Sequence, residues 1–333
     1  MAGADRPSVK VNEILGIDLG TTSIKLVRLR KNGPGNFSLI EADVLPPPEP
    51  PASGKPAVLT LDKKLHTTYA AVCYSGRSAA IRFIDVPAKM SSGKLLEGRL
   101  RKQLSLGQEY RIGSAIAKEG PPDGDHQVLV VAALETEVAG IRRMIPEERP
   151  SILSLEVSGL AALHSFEHTA AARAPGAVCY IEAGAEVTMV SFLVNGRLAL
   201  ARKFEYGTHH IVARLRELLD VDEESAIGVL YGDPAAVAGA GEDPMASFMK
   251  QLVTSRQFVE KSENTPVTAC YASGGLSYSP YCLAQIQETL GVPVSIWNPL
   301  EENGIKTYPR GLKGVESMFA GAMGAALAVL QPK

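Results

Sequence analysis

Residues 16–25 read GIDLGTTSIK: an acid at the end of an apolar run, then a glycine, three hydroxyl side chains and a lysine. Each type has a use beside a phosphate chain. Glycine lets backbone N–H groups approach oxygens, Thr21, Thr22 and Ser23 add donors, Lys25 brings a compact positive charge, and Asp18 can hold hydrated Mg²⁺. The same residues also describe a plain hairpin with a glycine turn, so one such stretch does not decide between the two. A second stretch, EAGAEVT, sets Glu182 opposite Asp18 and Gly184 opposite Gly20 when the two are laid together, with Ala185 beyond. Strand, glycine turn, strand, turn and strand follow in the same order, which makes an internal repeat. Two facing turns can clamp phosphates between them. A third turn, Ser273, Gly274 and Gly275 after the apolar run VTACYA, lies where an adenosine can rest on backbone.

Such turns need elements to hold them. ILGIDLG, TTSIKLVRLR and, after the loop KNGPGN, FSLIEADVL read as a β-meander, and a Pro-rich connector unsuited to a sheet begins at Pro46. AAIRFIDVP alternates as a strand, GKLLEGRLRKQL puts Leu96, Leu100 and Leu104 at helical spacing, and QVLVVAAL with ETEVAGIRRMI repeats strand then helix. These four elements form a small inserted α+β subdomain over about 78–148. A second meander runs through AVCYIEAGAEVTMVSFLVNGRLALARKFEYG. Helix HHIVARLRELL, a Gly/Ala/Pro loop over 232–244, helix MASFMKQLVTSRQFVEK and strand VTACYA come next. The chain closes with helix SPYCLAQIQETL, strand VPVSIW and the small-residue helix GVESMFAGAMGAALAVL. The architecture expected is α/β, with an extension over 1–12 and two pseudo-equivalent lobes, 13–160 and 161–333.

Bulk properties exclude several classes. The chain has 333 residues, 45% hydrophobic and 21% charged, which exceeds what one core usually serves and argues against long disorder. A net charge of -2 leaves no electrostatic footprint for nucleic acid. Cys73, Cys179, Cys270 and Cys282 are scattered and form no CxxC, so a reducing cytosol is expected rather than a zinc knuckle or a disulfide framework. MAGADRPSVKVNEIL lacks the order of a signal peptide, and the small residues of the last helix suggest tight packing rather than a membrane span.

Five motifs in order, GIDLGTTSIK, SILSLEVSGLAAL, YIEAGAEVTMVSFLVNGRL, YASGG and GAMGAAL, resemble the actin-like ATPase superfamily, and within it the PilM branch related to FtsA. The likeness runs from about residue 13 to the end, and the inserted subdomain resembles that of PilM. It implies a two-lobed actin-like (ribonuclease H-like) ATPase fold with ATP and Mg²⁺ between the lobes. On matching positions, Asp18 and Glu182 hold the metal through water, and Gly20, Thr21, Thr22, Ser23, Lys25, Gly184 and Ala185 surround the phosphates. Ser273, Gly274, Gly275 and Arg256 face the adenosine, with Glu156 and Glu182 as catalytic carboxylates. Glu182 and Glu156 stand where the family usually has Asp, and one extra methylene moves a carboxylate by roughly 1 Å, which can cost on the order of 100-fold in rate. At most weak hydrolysis follows. In DEESAIGVL, Ile227 and Leu230 take the places where the family usually presents Glu and Lys to the nucleotide.

The resemblance also implies a role as a scaffold at the inner membrane, in type IV pilus assembly or a related secretion machine. Its partner would be the cytoplasmic N-terminal tail of a PilN-like single-span membrane protein, with membrane contact only through partners and a homodimer or filament possible. Two alternatives stand beside it: an adaptor that keeps the fold without nucleotide, and an FtsA-like division filament. The second lacks the amphipathic helix expected beyond LQPK.

Other patterns compete. HSFEH matches H-x-x-E-H, which can set His164 and His168 on one helical face around Zn²⁺ with Glu167; without an evident third ligand it reads as a helix end. His209 and His210 read as a helix start. Neither a P-loop G-x-x-x-x-G-K-[ST] nor a G-x-S-x-G elbow occurs. Lys94, Arg99, Arg101 and Lys102 read as the solvated face of a helix or as a patch for an acidic partner.

Overall fold

The computed structural model describes residues 10–49, 57–91, 93–121, 123–146, 148–239 and 241–331. Most of the 1–12 extension and the centre of the Pro-rich connector lie outside these residues. Strands β1 (Glu13–Leu19), β2 (Ile24–Gly33) and β3 (Asn36–Leu45) make the first meander. β1 is buried along almost its whole length, as a central strand with both faces covered must be. β2 starts at Ile24, later than the sequence suggests, because residues 20–23 form the turn itself. β4 (Tyr69–Tyr74) then pairs in parallel with β1.

From β4 the chain leaves this sheet and builds another. β5 (Ala80–Pro87), α1 (Gly93–Gln103), β6 (Tyr110–Lys118), β7 (Asp125–Leu134) and α2 (Glu135–Met144) give an antiparallel sheet of order β5-β7-β6. The sequence predicts four of these elements, and the structure adds β6. Its residues, YRIGSAIAK, are half-buried or exposed throughout, so no apolar alternation marks it; its strand state comes from pairing with β7. The chain returns as β8 (Ser151–Val157), parallel to β4, completing the order β3-β2-β1-β4-β8.

α3 (Ser158–Glu167) spans the expected lobe boundary and leads to β9 (Ala177–Ala183), β10 (Thr188–Val194) and β11 (Arg197–Phe204). Next come α4 (Thr208–Leu219), α5 (Glu223–Tyr231), α6 (Pro234–Ala238), α7 (Ala246–Glu263) and β12 (Val267–Gly274). α8 (Pro280–Leu290), β13 (Val294–Ile296), α9 (Pro299–Glu302) and α10 (Ala320–Leu330) follow. The second sheet has order β11-β10-β9-β12-β13, strand for strand the plan of the first. The 232–244 stretch, expected as loop, holds α6: the Asp233 carboxylate accepts the Ala235 N–H at 2.9 Å and Pro234 opens the turn, an N-cap signal that the Gly/Ala composition hides.

α4, α7 and α8 bury one face of the second sheet through Ile211, Leu215, Phe248, Leu252 and Ile286. The last helix crosses back: α10 packs Ala322, Met323, Ala326 and Leu330 on Ile14, Val27 and Ala71 of the first sheet. Its small residues permit this. A Cβ on Gly16 would meet the Ala322 carbonyl, and one on Gly324 would overlap that of Ala161 in α3. Among the described residues no helix is long and apolar enough to cross a membrane.

Candidate functional site

The register of β1 and β2 sets Asp18 directly opposite Lys25, so both side chains leave the same face of the hairpin. Gly20 closes the turn: a Cβ there would lie 2.6 Å from the Ser23 carbonyl oxygen and 2.9 Å from Lys25 Nζ. Lys25 Nζ donates to that carbonyl at 3.3 Å, which holds the ammonium over the turn. Asp18 is 5% exposed, and its Oδ1 accepts from Ser158 Oγ at 2.5 Å and Cys73 Sγ at 3.5 Å. The start of α10 comes so close that a Cβ on Gly321 would be 3.0 Å from the carboxylate.

On the second hairpin Glu182 takes the place of Asp18, and its cross-strand partner is Met189, not a lysine. The turn is fixed by backbone: Gly184 N–H donates to Val187 O at 2.9 Å, Thr208 N–H to Gly184 O at 3.2 Å and His209 N–H to Ala185 O at 2.9 Å. His210 Nδ1 accepts the Gly207 N–H at 3.1 Å, so the two histidines do start a helix, as expected. Gly274, at φ 77, is in the left-handed region, and its missing Cβ leaves room for the Ala183 carbonyl.

The three turns meet. Asp18, Gly20, Thr21, Thr22, Ser23 and Lys25 line one side of a cavity of about 430 Å³, Glu182, Gly184 and Ala185 the other, and Gly274 and Gly275 one end. Burial, helped by the charge of Asp18 and opposed by Lys25, pushes the Glu182 carboxyl up to about 8. Two carboxylates facing each other in a cleft, with one lysine and a glycine-rich floor, suit a divalent cation carrying phosphates better than they suit either group alone.

Four expectations fail on geometry. Arg256 does not reach the cleft: it donates to Glu260 at 3.0 Å and to the Leu290 carbonyl at 2.5 Å, tying α7 to the end of α8. Ser273 is fully buried beneath the third turn, its Oγ 2.8 Å from the Tyr180 hydroxyl. Glu156 borders a different cavity, and it is Ser158, two residues on, that meets Asp18. Leu230 is fully buried in the second core; the face of α5 towards the cleft carries Glu223, Ile227 and Tyr231. Those three recur every four residues, a spacing visible in the sequence once the helix is placed. Thr208 and His209 at the start of α4 were not expected in the cleft and line it too.

A groove of about 770 Å³ lies between the inserted sheet and the first lobe. Gly113, Ala115 and Ile116 of β6 form one wall, Glu156, Leu160, His164 and Glu167 the other, with Gly196 of the β10–β11 turn and Arg197 and Leu198 at the start of β11 also lining it. β6 is an edge strand of its sheet, and Ile116 is 45% exposed.

Two matched sheets of the same strand order, glycine turns facing across a cleft and a sheet inserted after β4 define the two-lobed actin-like ATPase fold. A chain of the solved PilM-PilN type IV pilus biogenesis complex superposes on this one with a TM-score of 0.81, covering 97% of this chain and 100% of that chain at 21% identity. The ethanolamine utilization protein EutJ from Carboxydothermus hydrogenoformans gives 0.48 at 13% identity, over 96% of this chain and 90% of that one. An archaeal actin homolog gives 0.48 at 14% identity, over 96% of this chain and 100% of that one. No protein-family model and no curated protein matches the sequence.

Proposed function

We propose that this protein is an actin-like nucleotide-binding scaffold for a type IV pilus assembly platform or a related secretion system at the inner membrane. The observation that carries the reading is the meeting of both glycine turns, Asp18, Glu182 and Lys25 in one cleft. Asp18 and Glu182 hold hydrated Mg²⁺, residues 20–23 and Gly184 surround the phosphates of ATP, Lys25 faces them, and Gly274 with Gly275 supports the adenosine. The bound cation neutralises phosphate charge. Turnover is slow, because the second jaw carries a longer carboxyl that holds its proton near neutral pH, and Glu156 borders the groove instead of the cleft. The cytoplasmic tail of a PilN-like single-span protein docks in the groove beside β6, where an edge strand offers backbone pairing and Leu160 and Leu198 offer apolar contact. The superposing chain belongs to a PilM-PilN complex, which supports that partner class.

Calorimetric titration with Mg·ATP tests the cleft. Binding is expected, with Lys25→Ala weakening it by about 10- to 100-fold, the range for a hydrogen bond to a charged group. No heat and no rise in melting temperature would support the adaptor that has lost its nucleotide, a reading favoured by Met189 standing where the first jaw has lysine.

A further inference from the structure

The motif HSFEH is not used by the nucleotide cleft, yet the structure gathers its three chemically active side chains. His164 and Glu167 lie in the last turn of α3 and His168 caps it, so all three leave one face of the helix end. Glu167 Oε1 is 3.1 Å from His164 Nδ1 and 3.9 Å from His168 Nε2, and each residue can offer one ligand atom such that all three atoms lie within 4.8 Å of one another. Ligand atoms about 2.0–2.2 Å from a tetrahedral zinc ion are separated by roughly 3.3 Å, so small side-chain adjustments bring this set onto a cation. The rings stand edge to face with centroids 4.9 Å apart.

Three further features favour a cation here. His164 Nε2 is buried with no hydrogen-bond partner, so the ring lacks the satisfaction at both nitrogens that a purely structural core histidine has. The cluster sits at a helix C-terminus, where the carbonyl dipoles attract positive charge. The side chains keep 15–24% exposure, and His164 and Glu167 open onto the groove, so an ion has an entry path. The groove's two arginines do not confront it unpaired: Arg111 bonds Glu135 at 2.8 Å and Arg197 bonds Glu263 at 2.9 Å.

We infer that His164, Glu167 and His168 form a binding site for a borderline divalent transition-metal cation of the Zn²⁺ class at the end of α3, with its fourth position turned towards the groove. Two imidazoles and one carboxylate select zinc, cobalt or nickel over magnesium and calcium, which prefer all-oxygen shells. The site is separate from the nucleotide cleft and holds whether or not ATP binds there.

The test uses the full chain after chelation and dialysis, titrated with ZnCl₂ and, as a spectroscopic probe, CoCl₂. One equivalent of Co²⁺ is expected to give the visible bands of a tetrahedral nitrogen-and-oxygen site without thiolate charge transfer, and Zn²⁺ should displace it. His168→Gln should weaken Zn²⁺ binding by at least tenfold, and Glu167→Gln should do the same while far-UV circular dichroism shows both variants folded. MgCl₂ at equal concentration should not compete. Absence of stoichiometric binding, a thiolate spectrum pointing to the cysteines, or unchanged affinity in both variants would overturn the site.

Discussion

Glu182 has the most consequential environment of any single residue in the cleft. Its carboxyl titrates near 8 against an ordinary 4.5, because burial and the charge of Asp18 both penalise the anion. The sign follows directly. A raised folded-state value means the folded protein holds a proton that the unfolded chain has released, so the contribution to stability is complete below about 4.5 and is lost as pH rises through about 8. Glu182→Gln should therefore be more stable than the parent at pH 9, with the difference shrinking as pH falls and vanishing at about pH 4 and below, measured by denaturant midpoints. Mg²⁺ favours the anion, so Mg·ATP binding near pH 7 should release up to one proton. Titrations in two buffers of different ionisation enthalpy read this as a difference in apparent heat that Glu182→Gln abolishes; equal heats in the parent protein would contradict it.

Among the elements, α10 decides how closely the parts approach. Gly324 lets α3 and α10 cross with backbones in contact, and Gly321 lets the same helix reach Asp18. Gly324→Val should destabilise by about 1–3 kcal/mol through overpacking against the Ala161 carbonyl. Gly98→Ala in α1, where nothing outside the helix's own nearby backbone lies within 4 Å of the added Cβ, should instead be neutral or stabilising by up to about 1 kcal/mol. Thermal melting of the two variants distinguishes crowding from propensity. This contrast also marks what the sequence could reveal. Both meanders, α1, α2, α4, α7 and α8 were legible because their apolar spacing matches one period and both jaws repeat one order of residue types. β6 was not, since pairing with β7 alone makes it a strand, and α6 was not, because an Asp-Pro cap sits inside a Gly/Ala run. Within the site, the cradle residues were legible from type and spacing. Arg256, Leu230 and Ser273 were misplaced because helical phase and the depth of a turn depend on packing that spacing does not encode, and Ser158 reaches Asp18 from a distant segment.

At the scale of the molecule, cleft and groove share a wall. Val157 borders both, Ser158 and Gly159 face the cleft, and Leu160 and His164 face the groove, all on β8 and the start of α3. Across the lobes, Lys203 of β11 donates to the Gly76, Arg77 and Ala79 carbonyls at 3.0, 2.5 and 2.6 Å, and Arg77 lies 3.5 Å from Glu186 on the cleft rim. A change in lobe angle must therefore move the loop after β4, from which the inserted sheet departs, together with the helix that forms the groove. If nucleotide draws the two jaws together, the groove changes width, and linkage makes the effect reciprocal. A fluorescent peptide corresponding to a PilN-like cytoplasmic tail should bind with an affinity that Mg·ATP shifts by about 5- to 150-fold, and a saturating peptide should shift Mg·ATP affinity by the same factor. Lys203→Met, which cuts the strap between lobes but touches neither ligand, should reduce both shifts equally while leaving each ligand's binding to the otherwise unliganded protein within a few-fold. Independent binding of the two ligands in the parent protein would show that α3 is only a common wall and transmits nothing. Unequal factors at equilibrium would mean that more than one peptide or nucleotide is bound, because a single pair of sites admits only one coupling free energy.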